Sequence, residues 1–297
     1  MKRRAAWFAV FNTTLCAGFI GIDLLARAQN PEPVYTPGQA SNRMYNTALQ
    51  KMREGKPVIG GTVESPDPYM YCAMAHAGFD FLWIEMQHSP LTFEDVAHMI
   101  RMCPGPATPF IRVPDATESQ IQKATDIGAL GIIQPTVDTV EKAADTVKWA
   151  KYPPQGRRSM GSGQYRALWG SDYRQTINNN MAVIIMIESP LGVDNIEKIA
   201  AVPGVDAIFA ASTDLGNFSG LRQGDPGYEK LVARIHDITL AKGLRLGGPL
   251  MWRNRAGFSF FQGPTEAGLI ASGAKVILGT GSSSEGGHTT GASHSGN

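Results

Sequence analysis

This chain has no surplus of either charge: Lys and Arg number 27, Asp and Glu 26, in 297 residues. No basic stripe interleaved with aromatic residues occurs, so the electrostatic footprint that nucleic acid demands is missing. Cysteine is scarce, at three residues, and none stands in C-x-x-C spacing, which excludes a zinc knuckle. A glycine-rich phosphate loop is missing too. Val63-Glu64-Ser65-Pro66 follows the first strand-like run without one, and Gly161-Ser162-Gly163 and Gly279-Thr280-Gly281 lack the third glycine and read as turns.

A long apolar run is found only at the start. Met1-Lys2-Arg3-Arg4 is basic, Ala5 to Leu25 is largely apolar, and Ala26-Arg27-Ala28 has the small-x-small form of a cleavage site. Residues 1–28 read as a secretory signal peptide cleaved after Ala28, giving an exported, periplasmic or secreted protein with no stable membrane association afterwards. The competing reading is an uncleaved anchor, weakened by Asn12, Thr13, Thr14 and Asp23 within the run. Cleavage removes Lys2, Arg3, Arg4 and Arg27 against Asp23, leaving 23 basic and 25 acidic residues. Of the cysteines, Cys16 departs with the signal. Cys72 and Cys103 lie in apolar helical patterns and read as two buried free thiols, with a disulfide as the alternative in an oxidising compartment.

What remains is a regular β/α rhythm. Residues 29–50 read as a linker and lead-in, 51–281 as one catalytic domain, and 282–297 as a disordered tail of Gly, Ser, Thr and His. Eight strands are predicted at Val58–Val63, Phe79–Met86, Thr108–Val113, Leu130–Thr136, Ala182–Ile187, Val205–Ala210, Leu244–Leu250 and Lys275–Gly279. Helix starts are predicted at Ser65 with Pro66, Thr92 with Asp95, Thr117 with Gln120, and Asp138 with Glu141. Gly78, Gly128, Gly204, Gly243 and Gly273 suit left-handed helix ends. Eight βα units in this length indicate a (β/α)₈ TIM barrel, ahead of an open doubly wound sheet that would need the missing phosphate loop.

Charged residues are then concentrated where a barrel does its chemistry. Glu85 and His88 follow FDFLWI, Arg112 follows TPFI, Glu188 follows AVIIMI, and Asp214 follows VDAIFAAST. Glu188 and Asp214 from neighbouring strands, with water and a chelating substrate, fit a hard divalent cation such as Mg²⁺, Mn²⁺ or Co²⁺. Either acid could instead cap a helix, more readily for Asp214 than for Glu188, which Ser189-Pro190 follows. His88 is placed to move protons. Arg112 needs an anion, either a substrate oxygen or a carboxylate such as Glu85. His76, His98 and His236 fall within helices and read as structural. No lysine is predicted inside a strand except Lys275, at the wrong end for a Schiff base.

At these residues the chain resembles the HpcH/HpaI aldolase family, metal-dependent aldolases of 2-keto-3-deoxy sugar acids and 4-hydroxy-2-oxo acids. FDFLWIEMQHSP, PFIRVP, TDIGALGIIQPTVDT, KYPPQGRRSMG, IIMIES and GVDAIFAASTDL carry the likeness from about Val58 to Gly279. It implies a barrel of the phosphoenolpyruvate/pyruvate type, with Glu188 and Asp214 on the metal, His88 as base, Asp126 raising its basicity and Arg112 stabilising the enolate. Thr213 stands where a backbone amide meets the substrate carboxylate, beside Ser212 and Met186 at substrate-binding positions. The implied reaction cleaves a 4-hydroxy-2-oxo acid to pyruvate and an aldehyde through a metal-bound enolate. Related lyase or hydrolase chemistry on a 2-oxo acid, and an exported non-catalytic binder, are the alternatives. The likeness also implies a homo-oligomer, a hexamer built from dimers that exchange a C-terminal helix, where this chain ends in a polar tail. Four departures stand out: Glu85 replaces Asp, Gln87 replaces Glu, Met186 replaces Gln, and Ala211-Ser212 replace Gly-Pro.

Overall fold

Short runs of β-branched, aliphatic and aromatic residues form eight strands in the computed structural model, which describes residues 42–280. They are β1 (Val58–Val63), β2 (Phe81–Glu85), β3 (Thr108–Arg112), β4 (Gly131–Gln134), β5 (Ala182–Ile187), β6 (Ala207–Ala210), β7 (Arg245–Pro249) and β8 (Phe258–Thr265). Each pairs in parallel with the next, and β8 returns to β1, closing the barrel. The helices between them are α2 (Pro68–Ala75), α3 (Phe93–Met102), α4 (Glu118–Asp126), α5 (Val140–Ala150), α6 (Tyr165–Trp169), α7 (Tyr173–Asn180), α8 (Pro190–Ile199), α9 (Ser212–Ser219) and α10 (Pro226–Ala241), with α1 (Thr47–Arg53) before β1 and α11 (Glu266–Ile277) after β8.

The period of two along each strand separates two cores. Leu82, Ile84, Ile111, Ile132, Val183 and Ile185 pack with the surrounding helices. Phe81, Trp83, Phe110, Ile133, Ile184, Met186, Phe209 and Phe260 form a second cluster, which fills the barrel. Phe81 stacks on Phe110 and Phe260 at 4.9 and 4.7 Å between centroids. Two glycines make room for these rings: a Cβ on Gly60 would fall 2.2 Å from the Phe81 ring, and one on Gly131 2.4 Å from that of Phe110. Ala48, Leu49 and Met52 of α1 join the interior cluster, so α1 stops the amino-terminal end of the barrel. The body of the fold therefore begins inside the stretch read as linker. The signal-peptide segment and the polar tail lie outside the described residues.

Several expectations are corrected. Strand eight is not Lys275–Gly279 but Phe258–Thr265, and Lys275 and Gly273 lie within α11. A short apolar run of β-branched residues carries no periodicity to tell strand from helix, and AKVILG is such a run. None of the eight strands contains lysine. The second helix begins two residues later than predicted, capped by Asp67, whose carboxylate accepts from the amides of Tyr69 and Met70. The fifth is capped by Thr139, not Asp138. Thr92 with Asp95 forms a reciprocal capping box, and Thr117 accepts from the Gln120 amide, as predicted. Gly78, Gly128, Gly204 and Gly243 all have positive φ.

Cys72 and Cys103 are joined as a disulfide, with Cα atoms 5.5 Å apart. The bond links α2 to the residue capping α3, and these helices are neighbours because their strands are. That adjacency is tertiary, which is why helical patterns alone pointed to free thiols. Closing a loop of 31 residues in the unfolded chain stabilises the fold by on the order of 3–4 kcal/mol.

Candidate active site

Register puts the site together. Glu85 ends β2 directly beside Arg112, the last residue of β3. The Glu85 carboxylate is fully buried and accepts four hydrogen bonds: from the Trp83 indole (3.1 Å), Arg112 Nε (2.5 Å), and the backbone amides of Gln87 (2.8 Å) and His88 (3.0 Å). The structural partner predicted for Arg112 is thus present. The same carboxylate sets the turn that presents His88, and Ser89 closes that turn by donating to the Glu85 carbonyl. Arg112 also lies over the Trp83 ring at 5.6 Å, so one edge of the guanidinium is fixed.

His88, Arg112, Met186, Ser212, Thr213 and Asp214 line one cavity of about 350 Å³, with Phe209, Ala211, Pro249 and Gln262 completing it. The helix α9 starts at its rim. Its N-cap residue, Ala211, has no side-chain acceptor for the first-turn amides, leaving the positive end of the helix facing the cavity. Asp214 lies in that first turn and is no cap.

Glu188 follows β5 and is buried. It lines a second cleft with Thr136, Asp138, Ser189, Pro190, Leu191 and Phe218. Its Oε1 accepts from the Thr136 amide at 3.1 Å. Ser189 caps α8 by accepting from the Gly192 amide, freeing Glu188 of any capping duty. Burial raises the Glu188 pKa above the usual carboxylate range, and the charge of Asp214 raises it further; the Thr136 amide, Arg112 and Lys142 pull it down. Two carboxylates that repel one another across a partly desolvated mouth fit a divalent cation, which would relieve both costs. Among the described residues no group of three or more His, Cys, Asp or Glu could hold an ion, so any ion here takes its other ligands from water or substrate.

Thr136, just beyond β4, carries φ 51°, the left-handed region that a β-branched residue avoids. Such a conformation costs of order 1–3 kcal/mol, and it is held here at the point of contact with Glu188.

Asp126 is elsewhere. It ends α4, lines a separate cleft with Glu118, Ser119, Gln122 and Lys123, and accepts from Arg158 at 2.7 Å, with no hydrogen bond to His88. His88, Arg112, Met186, Ser212, Thr213 and Asp214 share one cavity, whereas Glu188 lines a second cleft, within electrostatic reach of Asp214 and Arg112. Sequence reasoning missed Gln262, because β8 was assigned elsewhere, along with Phe209 and Pro249, whose side chains carry no chemical signal.

A family model described as HpcH/HpaI aldolase/citrate lyase matches residues 62–245. The chain belongs to this family. Among curated proteins, 2-keto-3-deoxy-L-rhamnonate aldolase of Escherichia coli K12 is 31% identical over 195 residues, spanning 64% of this chain and 73% of the relative. Among solved structures, an HpcH/HpaI aldolase/citrate lyase family protein from Burkholderia cenocepacia J2315 superposes with a TM-score of 0.73 at 29% identity, covering 79% of this chain and 98% of that one. Citrate synthase SbnG superposes at 0.69 and 29% identity, covering 79% and 97%. HpcH/HpaI membership accounts for the barrel and for charged residues gathered at the carboxyl ends of β2, β3, β5 and β6. The positions that the sequence likeness reads as departures lie there too: Glu85 and Gln87 frame the His88 turn, while Met186, Ala211 and Ser212 line the cavity.

Proposed function

We propose that this protein is a divalent-metal-dependent lyase that cleaves a 4-hydroxy-2-oxo acid to pyruvate and an aldehyde. The observation that carries the reading is the meeting of His88, Arg112, Asp214 and the uncapped start of α9 in one cavity, with Glu188 in a second cleft but close enough to Asp214 to feel its charge, and no lysine in the eight strands to form a Schiff base. Glu188 and Asp214 would hold the cation, Mg²⁺, Mn²⁺ or Co²⁺, which when bound supplies Lewis-acid polarisation of the 2-keto group. The substrate carboxylate binds the first-turn amides of α9 at Ser212 and Thr213. His88 takes the proton of the 4-hydroxyl as the C3–C4 bond breaks and the aldehyde forms. The electron pair released from that bond passes toward the C2 oxygen, where the free edge of the Arg112 guanidinium donates to the growing negative charge. Protonation at C3 then gives pyruvate. Met186 lines the cavity with a thioether that donates no hydrogen bond, so the pocket grips a hydroxylated chain less firmly than an amide would.

The experiment is exchange of the pyruvate methyl protons in D₂O, followed by NMR, with and without each metal. Metal-dependent exchange in the wild type, lost in Glu188→Gln, Asp214→Asn and His88→Ala, is the expected result. A wild-type protein that exchanges no protons with any of the three ions sinks the proposal.

Two further readings accompany it. The chain is exported, supported by the leader-like residues 1–28 and by the Cys72–Cys103 disulfide, a bond that persists in oxidising compartments; amino-terminal sequencing of the expressed protein should begin at Gln29, and an intact Met1 in a reducing compartment contradicts it. The protein is also a homo-oligomer, a hexamer by family likeness, supported by the apolar surface that α11 leaves uncovered.

A further inference from the structure

Resting on the metal-site reading above, the geometry points to Lys142 as a positioning residue that holds Thr136 in its left-handed conformation and so aims the Thr136 amide at Glu188. Lys142 lies in the first turn of α5, where its own backbone amide is taken by the Thr139 cap. Its ammonium reaches back across the β4–α5 loop and donates to Thr136 Oγ1 at 3.0 Å, with Asp115 Oδ1 on its other side at 3.3 Å. Thr136 is the one non-glycine residue with positive φ among the described residues. Its amide gives Glu188 the single hydrogen bond that this carboxylate accepts there, at 3.1 Å on Oε1, leaving Oε2 for another partner.

The parts make sense together as a clamp. A threonine left to itself would relax to negative φ, swinging its N–H away from Glu188. The loop is tied on both sides of Thr136: the Val137 amide donates to the Met186 carbonyl at 3.3 Å, and the Lys142 bond pins the side chain. Asp115 in turn holds the ammonium over the loop. None of these three side chains is a ligand, yet together they fix the rotation of one that is. Partners of this kind typically change metal affinity by about 10–100-fold when removed.

The charge on Lys142 makes the test decisive, because the two explanations predict opposite signs. A cation near the site repels a bound metal, so removing it by charge alone would tighten metal binding. Removing the clamp would loosen it. Calorimetric titration of purified, metal-stripped protein with Mn²⁺ is therefore run on wild type, Lys142→Met, Lys142→Arg and Thr136→Ser. The expected result is binding weakened about tenfold or more in Lys142→Met, and close to wild type in Lys142→Arg and Thr136→Ser, which keep the donor and the hydroxyl. In the metal-free protein, hydrogen exchange at the Thr136 amide should accelerate in Lys142→Met and stay slow in Lys142→Arg. Unchanged or tighter Mn²⁺ binding in Lys142→Met, with unchanged exchange at Thr136, overturns the clamp alone. A wild type that binds no Mn²⁺ overturns the metal site beneath it, while the exchange measurement still judges the clamp.

Discussion

Glu85 is where stability and chemistry meet in one side chain. A buried carboxylate is tolerated because every lone pair has a donor, and here the donors are the groups whose placement the reaction needs. Truncation to alanine would leave Arg112 with an uncompensated charge and release the His88 turn. Glu85→Ala should lower unfolding free energy by about 3–5 kcal/mol in urea titrations and slow pyruvate proton exchange. A loss under about 1 kcal/mol would mean that solvent replaces the carboxylate freely. This partnership was legible from the sequence, since Glu85 and Arg112 each end an apolar strand and a buried guanidinium requires an anion. Thr136 was not legible, because a backbone torsion imposed by contacts from β5 and α5 leaves no mark on residue type.

At the scale of elements, the segment before α1 is fastened to the far side of the barrel. Asn46 caps α1, and its amide group donates to the carbonyls of Leu130 and Asn180, while Arg43 pairs with Asp172 beside α7 at 2.9 and 2.5 Å. The hydrogen bond from Arg43 holds the Asp172 carboxyl below the usual range. A lowered folded-state pKa contributes stability that is present above the unfolded value and lost as pH falls through the folded one. Both side chains are about 40% exposed, so the pair is worth only about 0.2–1 kcal/mol. Asp172→Asn should therefore reduce the thermal midpoint slightly at pH 7, and the difference from wild type should shrink as the pH falls below the ordinary aspartate range; a difference that does not depend on pH would assign the effect to packing. The strand pattern foretold seven of the eight staves, and it failed for β8, where an aromatic run ending in Gln262-Gly263-Pro264 offered weaker β signals than the later AKVILG.

For the whole molecule, α11 is the element that does not fit a lone barrel. Its buried residue is Glu266, which binds the β1–α2 loop through the amides of Glu64 and Ser65, while Ile270, Val276, Ile277 and Leu278 are 59, 78, 84 and 73% exposed. A helix this apolar and this bare normally packs against something. Introducing Val276→Asp and Ile277→Asp together should reduce the mass measured by light scattering from a multiple of the chain mass to a single chain. A wild type that already scatters as one chain contradicts the oligomer.

The order and spacing of residues by themselves determined the β/α rhythm, seven of the eight strands and the identity of the charged groups at their ends, because strand burial and helix capping are local and repeat with fixed periods. Only the tertiary structure decided which of those groups meet. Register set Glu85 beside Arg112, neighbouring helices brought Cys72 to Cys103, and Asp126 was paired with Arg158. Distances between residues far apart in sequence depend on how the closed sheet is staggered, and no local pattern encodes that stagger.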